Sequence, residues 1–161
     1  MKLSSQIAYV QGDATKPAGG GPSVIAHICN DEGKWGKGFV LALSRRWKQP
    51  EEHYRQQFKQ NPKPRLGDVQ FVEVEPQITV ANLIGQHGIK RGIGGLAPIR
   101  YEAVEQGLVK VAVYALKRGA SVHMPRLGCG LAGGSWEEIE PIINRTLTEK
   151  GVEVVVYDFA K

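Results

Sequence analysis

Only two cysteines, Cys29 and Cys129, occur in the 161 residues, and they stand far apart. Such a pair builds neither a disulfide framework nor a zinc site, so the expected setting is reducing and cytoplasmic, with no metal. No apolar run approaches the roughly twenty residues of a membrane span, and the opening Met1-Lys2-Leu3-Ser4-Ser5-Gln6 has no apolar signal core. A soluble, unexported protein with no membrane partner is therefore expected. Also missing are a G-x-x-x-x-G-K-[S/T] phosphate loop and a G-x-G-x-x-G run after a first strand with an acid at the usual distance. These absences disfavour an NTPase and an ordinary nicotinamide dehydrogenase.

What is present is glycine, 20 residues of it, together with 42% hydrophobic residues, a formal charge of +5 and a pI near 9.3. The length supports one core and one domain over 1–161. The charge favours anionic partners, from a nucleotide diphosphate to nucleic acid, but speaks to encounter rather than to a site. A nucleic-acid surface needs bases gathered on one face, whereas here acids are interspersed among them along the chain.

Two glycine-rich runs carry the functional reading. The first, Asn30-Asp31-Glu32-Gly33-Lys34-Trp35-Gly36-Lys37-Gly38-Phe39, lies between the apolar Val24–Cys29 and a helical pattern beginning near Phe39. The second, Arg126–Trp136, has four glycines in the seven positions 128–134 and precedes an amphipathic stretch. Ser135 and Glu138 there have the spacing of a capping box. Glycine lets a backbone approach a ligand closely, and loop amides together with a helix N-terminus suit phosphate. Two such loops can grip one diphosphate from both sides. Gly36 and Gly130, central in their loops, are the glycines expected nearest the ligand.

Around these loops, strands are expected over Ile7–Val10, Val24–Cys29, Val69–Val74, Gln77–Leu83, Ser121–Pro125 and Val152–Phe159. Helices are expected from Gly38 to Trp47, from Pro50 to about Gln60, from Pro98 to Arg118, and from Ser135 to about Lys150. Ile84–Gly95 reads as a long glycine- and base-rich loop of the kind that carries function. The alternation points to an α/β fold with a mostly parallel sheet between helices and ligands at the strands' carboxyl ends. Asp13, Asn30, Gln86, Gly128 and Tyr157 would meet there. Asp13 can accept from an exocyclic amine or cap the next turn. His27 interrupts a buried strand, where a histidine is more often a satisfied core group than a catalyst. Tyr157 and Phe159 can pack or can stack on a base.

Taken together, Gln11-Gly12-Asp13-Ala14-Thr15, His27-Ile28-Cys29-Asn30, Gly33–Gly38 and Met124–Gly130 resemble the macrodomain family over essentially the whole chain. The similarity is greatest to the branch holding a chromatin remodeller's macrodomain, a terminal ADP-ribose glycohydrolase and bacterial DNA ADP-ribosyl glycohydrolases. The resemblance implies a three-layer α/β/α fold around a central mixed, mostly parallel sheet, and a pocket for ADP-ribose. Asp13, flanked by Gly12 and Ala14, would bind the adenine amine, with Tyr157 or Phe159 against the base. Gly33, Lys34, Trp35, Gly36, Gly38 and Phe39 would enclose the distal ribose and diphosphate beside Gln86, and Gly128, Cys129, Gly130, Leu131 and Ala132 would hold the phosphates.

It further implies hydrolysis of an ADP-ribosyl bond by a water held between the diphosphate and the Asn30–Asp31 edge, without a cofactor. Glycohydrolases of this branch have a lysine in the loop after the strand containing Asn82, and some an acid in the second glycine loop. Here Gln86 and Ala132 stand in those places, and Lys90 is read as too far along to replace the lysine. This departure leaves a non-catalytic reader as an alternative. His27 stands where a related phosphatase acting on ADP-ribose 1″-phosphate has a histidine, which leaves that activity as another. The expected partner is ADP-ribose or an ADP-ribosylated macromolecule, with nucleic acid only where it carries that group, and the chain is taken as a monomer.

Overall fold

The hydrophobic stretch Val24–Cys29 becomes the middle of the molecule because both its faces find apolar cover. In the computed structural model, which describes residues 6–159, it belongs to a six-stranded sheet. The stretch Met1–Ser5, read as part of a start without a signal core, lies outside the described residues. In chain order the elements are β1 (Ala8–Gln11), β2 (Ser23–Asn30), α1 (Phe39–Arg46), α2 (Gln49–Gln57), β3 (Val69–Glu75), β4 (Ile78–Gln86), α3 (Tyr101–Arg118), β5 (Ser121–Met124), α4 (Trp136–Thr146) and β6 (Val154–Asp158). The strands lie in the order β1-β6-β5-β2-β4-β3, parallel except for β3, which runs antiparallel to β4. No helix among the described residues is long and apolar enough to cross a membrane.

Alternate residues of β2 serve two cores. Val24 and Ala26 join Leu108, Val111, Ile139 and Ile143 beneath α3 and α4, while Ile25 and Cys29 join Leu43, Trp47 and Tyr54 beneath α1 and α2. The result is the expected three-layer α/β/α arrangement. Each fully buried Val, Ile or Leu contributes about 1.5–3 kcal/mol relative to exposure, so this double cover pins β2 and the loop that leaves it.

Three of the boundaries that differ from expectation do so for a local reason. Strand β4 extends to Gln86, which bridges Ile99, so Pro98–Ile99 is held extended and α3 starts at Tyr101 rather than Pro98. The Arg100 guanidinium braces that turn by donating to the carbonyls of Ala97, Pro98 and Ile99. Helix α4 stops at Thr146, whose hydroxyl donates to the Ile142 carbonyl, and a 3-10 turn over Thr148–Lys150 follows. The capping box does not form: the Ser135 side chain makes no capping bond, and its N–H donates instead to the Tyr101 hydroxyl.

Candidate functional site

Asn30 ends β2 at a register shift, and its carboxamide folds the first glycine loop. The side-chain oxygen accepts from the N–H of Glu32 (2.9 Å), the N–H of Lys34 (3.2 Å) and the Tyr54 hydroxyl (2.8 Å), while Nδ2 donates to the Lys34 carbonyl (2.6 Å). Asp31 is equally occupied. It accepts from the Gly88 N–H at 2.8 Å and pairs with His87 Nδ1 at 2.7 Å, tying this loop to the one leaving β4. Both residues thus sit at the expected edge, but their polar atoms organise loops rather than stand free for a water.

Beyond them, Trp35 is buried, its indole donating to Ser44 and its carbonyl accepting from Arg55. Gly33 and Gly38 have positive φ, and Phe39 opens α1.

The second loop leaves β5 through the buried Leu127. Gly128 (φ 72°) is required, since a Cβ there would collide with the Ile99 side chain. Gly134 donates to the Gly128 carbonyl at 2.8 Å and Gly133 to that of Gly130 at 3.0 Å, closing a compact turn. Among the described residues, the N–H groups of Gly130, Leu131 and Ala132 meet no protein acceptor. Ala132 itself is buried, its carbonyl accepting from Ile99. Leu131 Cδ1 lies 3.5 Å from where a Gly38 Cβ would be, so the two glycine loops meet across this side chain. Burial raises the pKa of both thiols, so neither Cys29 nor Cys129 offers a thiolate.

Between the loops lies a cavity of about 620 Å³. Among the described residues, its walls include Asn30, Trp35, Gly36, Gln86 and Leu131, with four cationic residues, Lys34, Lys37, Arg55 and Lys90, and no Asp or Glu. Lys34 pairs with Glu32 and Arg55 with Glu51, whereas Lys37 and Lys90 have no ion-pair partner among the described residues. Lys90, read from the sequence as too far along to replace the lysine of related glycohydrolases, does line this cavity. The loop after β4 doubles back through Gly92 N–H to Leu96 O and His87 N–H to Pro98 O, which returns Lys90 to the cavity despite its distance along the chain. Arg55 was not anticipated, because its i,i+4 partner Glu51 makes it look like an ordinary solvated helix residue.

A second group gathers at the ends of β1 and β6, outside the walls of this cavity. The Gly12 N–H donates to the Asp158 carbonyl at 2.8 Å. One Asp13 oxygen accepts from the Thr15 N–H (2.9 Å) and hydroxyl (2.7 Å), so the acid does cap a turn, and its other oxygen has no protein partner among the described residues. Ala14 is buried beneath. Of the two aromatics, Phe159 is 65% exposed and open to stacking, but Tyr157 is 5% exposed. The Tyr157 hydroxyl accepts from the Ala18 N–H (2.8 Å) and sits 2.7 Å from His123 Nδ1, so Tyr157 is a post under the 12–18 loop.

His27 is not brought to the cavity. It lies 2% exposed against Trp35 and Phe39, with Nε2 at 2.5 Å from the Asn82 oxygen, and burial holds its pKa down to about 4. His123 is likewise lowered to about 4 by burial. Both are neutral in the fold while an unfolded histidine titrates near 6.5, so the unfolded chain binds more protons between those values. Their stabilisation is complete above about pH 6.5 and lost as the pH falls toward 4, at up to roughly 3 kcal/mol per histidine. A melting temperature that declines from pH 7 to pH 5, with the decline reduced in His27→Gln, is the expected result.

No family model matches the chain. A solved structure of a protein of unknown function from Bacteroides thetaiotaomicron is 58% identical, covering 97% of this chain and 99% of that one with a TM-score of 0.95. A macrodomain protein from Streptomyces coelicolor is 52% identical, covering 96% of this chain and 100% of that one with a TM-score of 0.85. More distant is the Thermosipho africanus DarTG in complex with ADP-ribose, 20% identical over 85% of this chain and 38% of that one with a TM-score of 0.69. Among curated proteins, the mouse chromodomain-helicase-DNA-binding protein 1-like is 34% identical over 98% of this chain. The chain spans only 18% of that relative's length.

Proposed function

Because the chain belongs to the macrodomain family, we propose that it binds ADP-ribose and hydrolyses an ADP-ribosyl bond. The carrying observation is the pair of glycine loops that meet at Leu131, with the unpaired amides of Gly130–Ala132 on one side and a cationic cavity on the other. Preoriented N–H dipoles favour a diphosphate without any reorganisation on binding. The adenine then extends toward the open oxygen of Asp13 and the exposed ring of Phe159, and the distal ribose enters the cavity past Gly36. The Thermosipho protein solved with ADP-ribose supports this choice of ligand.

The chemistry follows from what the cavity walls hold. Four cations with no carboxyl group beside them suit a bond whose leaving group departs as an anion that positive charge stabilises. An ester between the distal ribose and a carboxylate meets that condition: water attacks the anomeric carbon, the C–O bond breaks, and the electron pair leaves with the carboxylate. Lys37 and Lys90 supply positive charge for that anion, and the attacking water gives its proton to solvent or to the bound diphosphate. Asn30 and Asp31 contribute by holding the loops in place. The phosphatase alternative loses its histidine base to the buried environment of His27.

Asp13→Asn tests the adenine end. The amide oxygen can still cap Thr15, so the fold should be unaffected, but an N–H₂ group then faces the adenine amine in place of an acceptor. Loss of a charge-assisted bond of about 1.5–3 kcal/mol should raise the ADP-ribose dissociation constant roughly tenfold or more. Calorimetry showing unchanged affinity would mean that Asp13 only caps its turn. Hydrolysis is tested by product analysis on a peptide ADP-ribosylated at glutamate; an intact peptide alongside normal ADP-ribose affinity would identify a reader.

A further inference from the structure

The loop that returns Lys90 to the cavity also carries apolar side chains outward. Ile89 is 46% exposed, Ile93 100% and Leu96 58%, and Leu131 on the facing loop is 68% exposed. Ile89 and Leu131 share the cavity wall, and the 88–97 loop packs on the second glycine loop where Ala97 approaches Gly133. Ile89 and Leu131 therefore flank the mouth through which the distal ribose's substituent must project, and Ile93 and Leu96 are exposed on the same loop as Ile89. Scattered exposed apolar residues are ordinary, but several on one loop that lines a ligand cavity mark a contact surface.

Charge defines what fits it. Lys37 and Lys90, without ion-pair partners among the described residues, stand at the same mouth, and Arg91 flanks it with its guanidinium donating to the Gly95 carbonyl. The two acids that follow the wall residue Asn30 are already engaged, Glu32 by Lys34 and Asp31 by His87 and Gly88. The partner is accordingly anionic and bears aliphatic side chains. A single strand of nucleic acid would supply the charge but needs aromatic platforms for its bases. Among the described residues, the one aromatic in the cavity wall, Trp35, is buried.

We propose that the rim formed by Ile93, Leu96 and Leu131 is a docking surface for the polypeptide that carries the ADP-ribosyl group, an acidic segment with aliphatic residues beside the modified side chain. This rests on the ADP-ribose reading of the pocket. Ile93 and Leu96 touch the polypeptide and not the nucleotide, so they raise affinity for the modified peptide alone.

The test compares binding of free ADP-ribose with three conjugates of hydrolysis-resistant linkage: to a glutamate- and leucine-containing peptide, to a glycine–serine peptide, and to a single-stranded oligonucleotide. The wild-type protein should bind the acidic, aliphatic conjugate roughly tenfold tighter than free ADP-ribose, and the glycine–serine conjugate no tighter. Ile93→Asp and Leu96→Asp replace exposed side chains, so melting temperature and free ADP-ribose affinity should hold while the tenfold gain disappears. Equal affinity for free ADP-ribose and the acidic conjugate overturns the proposal, as does an oligonucleotide conjugate that gains as much. A folded wild-type protein that fails to bind free ADP-ribose overturns the pocket reading itself.

Discussion

Gly130→Glu is expected to fold normally and to lose ADP-ribose binding below detection. Gly130 does not have positive φ, and a Cβ placed on it meets nothing within 4 Å, so a side chain there strains neither backbone nor neighbours. Its N–H is one of the amides left without a protein acceptor, at the point where the diphosphate is proposed to sit. A carboxylate placed about 4 Å from a phosphate charge costs about 4 kcal/mol at an effective dielectric of 20, a factor of roughly a thousand in affinity before steric exclusion is counted. Gly128→Ala provides the contrast. At φ 72°, and with its Cβ driven into Ile99, that variant should lose melting temperature first. Melting and titration on the same samples separate the two effects, and a folded Gly130→Glu that binds ADP-ribose normally removes the cradle. Gly36→Glu, equally unstrained, should repeat the result from the opposite loop.

The second large effect is expected at Asn30. Asn30→Ala leaves the Glu32 and Lys34 amides and the Lys34 carbonyl without their partner, while the Tyr54 hydroxyl retains only the Asn30 backbone carbonyl at 2.7 Å. A buried polar group stripped of its partner costs about 1–3 kcal/mol, and because Glu32 and Lys34 are exposed their backbone groups recover part of that from water. A net loss of about 2–3 kcal/mol lowers the melting temperature by roughly 5–10 °C in a chain of this size. Binding should fall by at least about tenfold besides, because the loop that encloses the distal ribose no longer has a defined shape. If Asn30 instead held only a catalytic water, the variant would keep its melting temperature and its ADP-ribose affinity and lose turnover alone.

These two residues mark where local sequence stops being informative. The order of strands and helices was legible because each stretch repeats with its own period: the unbroken apolar β2, the alternation of β3, and the apolar face of α3 from Val104 to Ala115. The two glycine loops were legible because only glycine tolerates what Gly38 and Gly128 must do, and their place after β2 and β5 follows from the alternation of strands and helices. The meeting of Asp13, Asn30 and Gly128 at one sheet edge follows from parallel strands, which all present their carboxyl ends on the same side.

What each polar side chain does there was decided by tertiary contacts. Nothing near Asn30 in the chain announces that Tyr54, 24 positions on, will take up its oxygen, or that His87 will take up Asp31. His27 became a core group because Trp35 and Phe39 close over it, and Tyr157 a post because Ala18 and His123 claim its hydroxyl. Lys90 reached the cavity only because its loop doubles back. Periodicity reports burial, which a short window of sequence encodes, whereas the availability of a donor or acceptor depends on partners far away in the chain, and those are chosen only when the layers pack.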